Sequence, residues 1–402
     1  MPEPTEVPAP TAVPEPTEVP APTEEEIHTQ ITSQVQAAVD SWREGNGAPG
    51  VSAALIIPGY APVAVASGVS DLTTNEPVTT DDYFRIASIT KTMTATLILQ
   101  LAEEGLIELD EPVTTYLGDW LGDHPSEDQI TVRQLMDHTN GLIEYAFDPG
   151  FYFEAALRQD QPFEPEEILE FLGRQDPLFS PGSDYQYETG GFVAAGLLIE
   201  ALTGNSAAEE MRSRIFEPSG ASEIYLTPEE FPPTSVVHAY ARAELYNALT
   251  LLPGVRDDLG LTVNNDDPVI DVLTGEQAVL QSAGWTGGGN EAQLLEVARI
   301  FGSIFNGTLL KPESVERMIS PELATSNYGL GIDVGTGEAN GQQFSVYSHG
   351  GGVPGFRSQA GYLPDHDVSY AFSSSLIPLP DGLGVALLRD ELASIALAAL
   401  DS

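Results

Sequence analysis

Ser88 and Lys91 have the residue types and the spacing of a nucleophile and its base. The chain has two lysines, and Lys91 lies three positions after Ser88, at the start of an apolar helix that we predict over residues 89–104. Residues three apart share one helix face, and a serine in the first turn meets the positive end of the helix dipole. Burial disfavours the ammonium form, so a neutral Lys91 could accept the serine proton.

An alternative is that Ser88 only caps the helix and that Lys91 is solvated. The helix is apolar on almost every side, and helices of this kind lie in protein interiors. We therefore favour a buried Lys91 with a catalytic role.

Four segments in order along the chain resemble the penicillin-recognising serine hydrolases, a group that includes D-Ala-D-Ala carboxypeptidases, class C beta-lactamases, D-aminopeptidases and carboxylesterases of the same fold. Residues 84–91 (FRIASITK) are similar to the first box of that group, and residues 130–142 (ITVRQLMDHTNGL) are similar to its downstream signature. Residues 179–182 (FSPG), followed by Tyr187, resemble the second box, and residues 348–356 (SHGGGVPGF) resemble the third. The resemblance covers residue 51 to the C-terminus and is far more specific than one motif alone.

The resemblance implies a role for each matching residue. Ser88 would attack an acyl carbon and form an acyl-enzyme, and Lys91 would accept its proton. Tyr187 would relay a proton to the leaving group and help to activate the deacylating water, either as a phenolate or through a hydrogen-bond chain with Lys91. The backbone N–H groups of Ser88 and Gly352 would form the oxyanion hole. His349 would set the field near the serine and change its charge near neutral pH.

Two departures from the family pattern bear on substrate binding. Thr189 stands where the family usually has asparagine, and a hydroxyl contacts a substrate amide less well than an amide does. Gly350 and Gly352 stand where carboxypeptidases and beta-lactamases usually place hydroxyls that bind the substrate carboxylate, while the glycines, Gly351 included, let a substrate backbone approach. Arg357 could supply the missing positive charge; otherwise the enzyme prefers uncharged esters or amides.

No pattern in the chain indicates a metal ion or a cofactor. The sequence has no H-E-x-x-H motif, and we expect His138 to hold a loop beneath the site without a catalytic role. The absence of a G-x-S-x-G motif argues against an α/β-hydrolase. The remaining histidines are scattered: His28, His124, His238 and His366.

Strand patterns at both ends of the chain and helical patterns in the middle predict an α+β fold of the beta-lactamase/DD-peptidase type. We expect an antiparallel sheet flanked by helices, with an inserted, mostly helical domain and a site in the cleft between them. The predicted divisions are a stalk over 1–26, an α/β part over 27–90 plus 286–402, and a mainly helical part over 91–285. Predicted helices cover 25–44, 168–172, 191–202, 207–216, 291–305 and 383–400; predicted strands cover 51–57, 63–69, 344–347, 359–363 and 368–374.

The N-terminal segment repeats the sequence PEPTEVPAPT at residues 2–11 and 14–23. Proline, threonine and glutamate cannot form an apolar core, so we predict an extended, disordered stalk over residues 1–26. Such stalks typically join an exported domain to a leader or an anchor. We therefore expect a secreted or cell-surface bacterial protein, with an intracellular disordered tail as the alternative.

The net charge of −46, from 61 acidic and 15 basic residues, restricts the partners. A polyanion of this size will not bind nucleic acid or an anionic membrane surface. No apolar run reaches the length of an integral membrane span. The acidic composition suits an environment of high salt or mildly acidic pH. The alternative is that proteins of the source lineage are generally acidic.

The expected partner is a small-molecule or peptide substrate with an ester, amide or lactam bond. Within a Ser88 acyl-enzyme mechanism, our first expectation is a D-Ala-D-Ala carboxypeptidase-like enzyme or D-peptidase, because the third-box histidine resembles that branch. A carboxylesterase acting on short acyl esters is the next alternative, and a weak beta-lactamase comes third. A non-enzymatic penicillin-binding sensor module is the alternative from another class, although such modules usually lose the serine, lysine or tyrosine.

Overall fold

A computed structural model describes residues 23–158, 161–242, 269–272, 282–323, 326–377 and 384–401. Its centre is a seven-stranded antiparallel sheet in the order β3-β2-β1-β12-β11-β10-β9. The strands are β1 (Gly50–Ile56), β2 (Val63–Asp71), β3 (Glu76–Pro77), β9 (Asp333–Ala339), β10 (Gln342–Val353), β11 (Phe356–Leu363) and β12 (Val368–Ser374). Strands from the two ends of the chain are neighbours, because β1 pairs with β12 in a register that sets Ala54 opposite Ala371. The predicted α+β class and the sheet built from both ends are therefore confirmed.

Helices cover both faces of this sheet. On one face lies α1 (Glu24–Asn46), which begins with a capping box formed by Thr23 and Glu26 and ends at a left-handed Gly47. Its apolar residues at four-residue spacing pack with the sheet and with the last helix, α12 (Gly384–Leu400). On the other face lies α10 (Leu294–Phe305), packed against β1, β11 and β12. Burial from two sides explains why β1 is an almost unbroken apolar strand.

The middle of the chain is mainly helical, as predicted. Two long apolar helices form its centre, α2 (Thr90–Glu103) and α7 (Gly190–Thr203), and they pack against each other. The other helices described there are α3 (Thr114–Leu117), α4 (Val132–Met136), α5 (Pro149–Leu157), α6 (Pro165–Gly173) and α8 (Ala207–Met211), followed beyond the gap by α9 (Trp285–Gly288), with α11 (Pro312–Met318) nearer the end of the chain.

Two small sheets differ from the predicted pattern. One has the order β4-β8-β5, with β4 (Phe84–Arg85), β8 (Asn290–Ala292) and β5 (Ile224–Leu226), and the other has the order β13-β6-β7, with β13 (Leu376–Ile377), β6 (Tyr240–Arg242) and β7 (Val269–Asp271). The inserted part therefore contains short strands. The helix predicted over 291–305 begins only at Leu294, because residues 290–292 pair with β4 and β5.

The predicted stalk also ends earlier than expected. Helix α1 begins at Glu24, so the last three residues assigned to the stalk are helical. Residues 1–22 lie outside the described residues, as do residues 243–268 of the inserted part. In the part of the chain that the structure describes, no single helix has the length and apolar composition to cross a membrane; one pair of helical segments, Gly190–Thr203 and Ala207–Ser219, passes that test together but is bent by 84°.

Candidate active site

Ser88 lies in a tight turn between a short strand and the buried helix α2. Strand β4, which precedes the turn in the sequence, pairs with β8. Residues Ala87–Ile89 then form a 3₁₀ turn in which Ala87 has a φ of 51°. A positive φ is uncommon for alanine and indicates that the surroundings hold this turn in place. Ser358 on β11 donates a hydrogen bond of 2.9 Å to the Ile86 carbonyl. The turn is thus fastened to the central sheet, with Ser88 half-buried at its middle.

Lys91 is completely buried, which excludes the alternative of a solvated lysine. Its Nζ atom lies 3.4 Å from Ser88 Oγ, 3.3 Å from Thr189 Oγ1 and 2.8 Å from the Gly287 carbonyl oxygen. Burial lowers the pKa of Lys91 to about 8, and the carboxylates of Glu144 and Glu188 oppose that shift. Proximity to Ser88 and a reduced proton affinity are the two properties that a lysine base requires.

Tyr187 contacts the same serine from the inserted part of the chain. Its hydroxyl is within hydrogen-bonding reach of the Ser88 side chain, and Lys91 Nζ lies 5.0 Å from the centre of its ring. Burial raises the pKa of Tyr187 above its usual value, so the phenol is neutral at ordinary pH. Of the two roles suggested for Tyr187, a hydrogen-bonded relay therefore fits the site better than a resting phenolate.

His349 lies on β10 beside this group, but its predicted charge switch near neutral pH is wrong. Burial, with the charge of Lys91 as a second cause, lowers the pKa of His349 to about 3. Its Nδ1 atom lies 2.6 Å from the Gly350 carbonyl, which can only accept, so Nδ1 carries the proton. Nε2 then accepts a hydrogen bond of 2.7 Å from the Tyr328 hydroxyl. His349 is a neutral, fixed imidazole throughout the physiological pH range.

Tyr328 is a site residue that the sequence analysis missed. It lies in an irregular segment before β9, outside the four recognised boxes, and no local pattern distinguishes it. His138 packs between Tyr328 and Tyr187, with ring centres 4.6 Å and 4.3 Å away. Its side chain is buried and makes no contact with Ser88 among those described, in agreement with the expected structural role.

The three glycines of the third box face two different surroundings. A Cβ atom on Gly351 would lie 2.1 Å from the Ile86 carbonyl oxygen and 2.2 Å from Ser358 Oγ. Its lack of a side chain therefore makes room for the turn that holds Ser88. Gly350 and Gly352 lie on the opposite face of the strand, because successive residues of a strand face opposite sides. Roles of Gly350, Gly351 and Gly352 toward substrate stay predictions.

Arg357 occupies the space beside those two outward-facing glycines. It pairs with Gly352 across β10 and β11, and its guanidinium nitrogens would lie 3.2 Å from a Cβ on Gly352 and 3.7 Å from a Cβ on Gly350. The side chain is half-buried, and its burial lowers the pKa of Arg357. Among the residues that the structure describes, no carboxylate forms an ion pair with this guanidinium.

Two buried or partly buried carboxylates near Lys91 were also missed. Glu144 accepts a hydrogen bond of 2.9 Å from Thr189 Oγ1 through one oxygen and one of 3.0 Å from the Ala146 N–H through the other. Glu188 is fully buried and accepts from Asn140 Nδ2 at 2.8 Å and from the backbone at the start of α7. Burial raises the pKa of Glu188 to about 7 and also raises that of Glu144.

A signal for Glu144 was present in the sequence. It follows the recognised segment 130–142 by two residues, close enough to belong to the same loop. No group of three or more His, Asp or Glu side chains is arranged to hold a metal ion within the described ranges.

Comparison with known proteins decides the family. Residues 35–393 match the family model described as Beta-lactamase. The chain belongs to the Beta-lactamase family. It is therefore a hydrolase of the beta-lactamase-fold serine hydrolase type, a family that includes penicillin-binding proteins, D-aminopeptidases and esterases.

Curated relatives in this Beta-lactamase family differ in what their names say they do. The chain is 25% identical over 319 residues to Penicillin-binding protein 4* of Bacillus subtilis, covering 77% of this chain and 64% of that protein. It is 29% identical to Lovastatin esterase of Penicillium rubens, covering 73% of each. It is 25% identical to D-aminopeptidase of Brucella anthropi, covering 80% of this chain and 55% of that protein. The chain thus spans less than two thirds of the length of two of these three relatives.

Solved structures cover a larger share of the chain. The D-amino acid amidase of Ochrobactrum anthropi SV3 superposes with a TM-score of 0.74 at 25% identity, covering 92% of this chain and 98% of that one. A D-stereospecific amidohydrolase from Streptomyces gives a TM-score of 0.71 at 27% identity, covering 90% and 98%. Both are similar to this chain over nearly their whole length.

Proposed function

We propose that this chain hydrolyses amides or peptides of D-amino acids through an acyl-enzyme on Ser88. The observation that carries the proposal is the contact of Ser88 with both Lys91 and Tyr187 in a chain that superposes on 98% of a D-amino acid amidase. The third-box histidine supports the same branch of the family. D-Ala-D-Ala carboxypeptidase-like action is the form of this activity in which the substrate also carries a free carboxylate.

The proposed reaction has two halves. In acylation, Ser88 Oγ bonds to the carbonyl carbon while its proton passes to Lys91, and the N–H groups of Ser88 and Gly352 stabilise the oxyanion. Tyr187 then delivers a proton to the departing amine and regains one from Lys91, so that both groups return to their neutral forms. In deacylation, water takes the place of the amine and attacks the acyl carbon while it loses a proton to the neutral Lys91. Lys91 then returns that proton to Ser88 Oγ as the bond between Oγ and the acyl carbon breaks.

Arg357 is the residue that would select substrates with a free carboxylate. In the proposed carboxypeptidase-like reaction, the guanidinium beside Gly350 and Gly352 binds the C-terminal carboxylate in place of the usual hydroxyls. A planar guanidinium matches a carboxylate with two parallel hydrogen bonds. The Thr189 hydroxyl already accepts a hydrogen bond from Lys91 and donates one to Glu144. It therefore has less capacity to bind substrate than its place in the second box suggests.

Esterase action is the second candidate. It is favoured by the two glycines, because a site without those hydroxyls has fewer polar groups left unpaired when a neutral acyl ester binds. Similarity to Lovastatin esterase over 73% of both chains points the same way.

The decisive experiment compares substrates on one purified preparation. Rates are measured for D- and L-phenylalanine amide, a D-Ala-D-Ala peptide, p-nitrophenyl butyrate and nitrocefin. Cleavage of the D-amide at least about tenfold faster than the L-amide is expected, since a mirror-image substrate misplaces its reacting carbon. Equal rates on the two amides would refute the D-amino acid assignment, and a dominant ester rate would establish the esterase instead.

Ser88→Ala provides the mechanistic control. We expect it to lose all measurable turnover while its circular dichroism spectrum and melting temperature stay those of the wild type, because only one oxygen is removed. Ser33→Ala, an identical exchange at an exposed position on α1, should retain full activity. Turnover by Ser88→Ala at the wild-type rate would exclude the acyl-enzyme on this serine.

A further inference from the structure

The hydrogen bonds of Lys91 continue beyond Ser88 to a second acid. Lys91 Nζ donates to Thr189 Oγ1 at 3.3 Å, and Thr189 Oγ1 donates in turn to Glu144 Oε2 at 2.9 Å. The direction of each bond is fixed by chemistry, since an ionised carboxylate only accepts and an ammonium only donates. Lys91 and Glu144 are therefore joined through a single hydroxyl that can pass a proton on.

The contacts of Lys91 show why such a path matters. An ammonium has three protons, and three acceptors surround Nζ: Ser88 Oγ, Thr189 Oγ1 and the Gly287 carbonyl. An amine that takes the Ser88 proton must first have two protons and a lone pair. The Gly287 carbonyl can only keep accepting, and the serine is the group to be deprotonated. Thr189 is thus the one of these three contacts through which the extra proton can leave.

Burial reduces the cost of the same transfer. Lys91 is fully buried and Glu144 partly so, and the charged form of each loses hydration. Moving one proton from Lys91 to Glu144 removes the charges of both groups at once and leaves only Glu188 charged, whereas release of the proton to solvent leaves both carboxylates charged. The groups that face Lys91 from the surrounding elements are Glu144, Glu188, Tyr187, His138 and His349. Tyr187, His138 and His349 are neutral, so the charged groups at this place are one cation, Lys91, and two carboxylates.

Glu188 is the competing carboxylate, and its contacts give it a different role. It accepts from Asn140 Nδ2 and from the Gly191 N–H, and it has no hydrogen bond to Lys91 or Thr189 among those described. It holds the start of α7 against the loop of residue 140. Glu188 therefore acts on Lys91 through its charge alone, whereas Glu144 is connected to it by a hydrogen-bonded path.

We propose that Thr189 and Glu144 act on Ser88 through Lys91. Together they take one proton from the Lys91 ammonium before Ser88 attacks the substrate. The inference rests on the proposed Ser88 mechanism. Lys91 gives a proton to Thr189 Oγ1 as the original hydroxyl proton of Thr189 passes to Glu144 Oε2. The products are a neutral amine, an intact hydroxyl and a protonated Glu144. Rotation about the Cε–Nζ bond then turns the lone pair toward Ser88 Oγ. Threonine in place of the family's asparagine is what makes the path possible, because an amide N–H and C=O do not exchange protons in this way.

The test measures Ser88 activation without assuming any natural substrate. The rate of covalent labelling of Ser88 by a fluorophosphonate probe is followed from pH 5.5 to 10 in the wild type, Glu144→Gln and Glu188→Gln. With the path intact, we expect the wild-type rate to fall by less than tenfold per pH unit below pH 8. Glu144→Gln should fall by about tenfold per unit and recover to near the wild-type rate at pH 10, where Lys91 is neutral without help.

Two other outcomes would overturn the proposal. If Glu144 acts through its charge alone, its removal lowers the pKa of Lys91, and Glu144→Gln labels faster than the wild type at pH 6.5. Glu188→Gln, which also removes one nearby negative charge, shows what that effect looks like. If Glu144 only supports the loop, Glu144→Gln labels more slowly at every pH, including pH 10.

Thr189 gives an independent variant in case Glu144→Gln does not fold. Thr189→Val keeps the shape but removes the hydroxyl, and Thr189→Ser keeps the hydroxyl. Slow labelling by the valine variant below pH 8 with recovery in the serine variant supports the path; equal labelling by the two refutes it. Failure to cleave D-amides leaves this result unaffected, because the probe reports only on the serine, whereas a wild type whose Ser88 is never labelled contradicts both proposals.

Discussion

At the scale of single residues, the charge of Lys91 governs the chemistry of the site. Its amine contacts Ser88 while the surrounding protein excludes water from it completely. The field from Glu144 and Glu188 prevents a larger fall in its pKa, so the balance of burial against two carboxylates sets the working pH. His349 lies nearby but stays neutral, because Tyr328 and the Gly350 carbonyl hold one tautomer.

The pH dependence of kcat/KM follows from these groups. The base must be neutral, and burial lowers the pKa of Lys91 to about 8, so kcat/KM should rise toward pH 8 and level off above it. With proton transfer to Glu144 in operation, the rise below pH 8 should be less than tenfold per pH unit. A profile measured from pH 5.5 to 10 on the best substrate checks this. A maximum centred near pH 6.5 would contradict it and would make His349 the titrating group.

Arg357→Gln tests the guanidinium at the third box. Hydrogen bonds to a charged group contribute about 1.5–3 kcal/mol each, so we expect KM for a D-Ala-D-Ala peptide to rise by about 10- to 150-fold. KM for the uncharged D-phenylalanine amide should stay within about twofold, because that substrate has no carboxylate. Arg389→Gln, on α12 and paired with Asp390, is the matched control. Equal losses on both substrates would show that Arg357 supports the fold instead of binding the carboxylate.

At the scale of elements, strand β10 serves the site with both of its faces. One face receives the turn of Ser88 against Gly351, and the other lies open beside Arg357 at Gly350 and Gly352. The strand thereby fixes the nucleophile and the proposed substrate surface relative to each other.

Alanine substitution on each face should separate these two functions. Gly351→Ala places a methyl group 2.1 Å from the Ile86 carbonyl oxygen, and overpacking of this kind costs about 1–3 kcal/mol in the free energy of unfolding. Gly350→Ala meets nothing nearer than 3.7 Å and should change it by less than about 0.5 kcal/mol. Urea denaturation measures both. Similar values for the two variants would mean that β10 is not packed against the Ser88 turn as described.

At the scale of the whole molecule, charge is the dominant feature. Most of the arginines that the structure describes are paired with carboxylates, as in the pairs of Arg133 with Asp110 and Arg212 with Glu230. Acidic residues outnumber basic ones 61 to 15, so the majority of carboxylates have no cation to face. Their mutual repulsion opposes the compact state.

Salt should therefore stabilise the protein. The Debye length shrinks from about 30 Å at 0.01 M to about 3 Å at 1 M salt, which removes most of the repulsion between separate carboxylates. We expect the melting temperature to rise by several degrees over that range, with most of the increase below about 0.3 M and equal effects of sodium and choline chloride. A flat or falling melting temperature would show that the net charge of −46 has little effect on folding.

The sequence predicted the parts of the site that depend on short spacing. Ser88 and Lys91 share one turn of chain, and Tyr187 follows a recognisable loop, so their roles could be inferred before any coordinates. The Thr189–Glu144 contact joins side chains 45 residues apart, and Tyr328 reaches His349 from an irregular segment. Strands β4 and β8 have two and three residues, too few to show alternation, and they exist because distant partners pair with them. The pKa of His349 was misjudged for a related reason, since burial is a tertiary property.

The hydrogen bond from Ser358 to the Ile86 carbonyl joins residues 272 positions apart. Strand β1 likewise gains its neighbour β12 only after residue 374 has been made. A chain still emerging from the ribosome carries Ser88 and Lys91 long before it carries the strands that hold their turn in place. We therefore expect hydrolytic activity to arise late in biosynthesis. Chains that end before β11 should not be acylated on Ser88 by substrate.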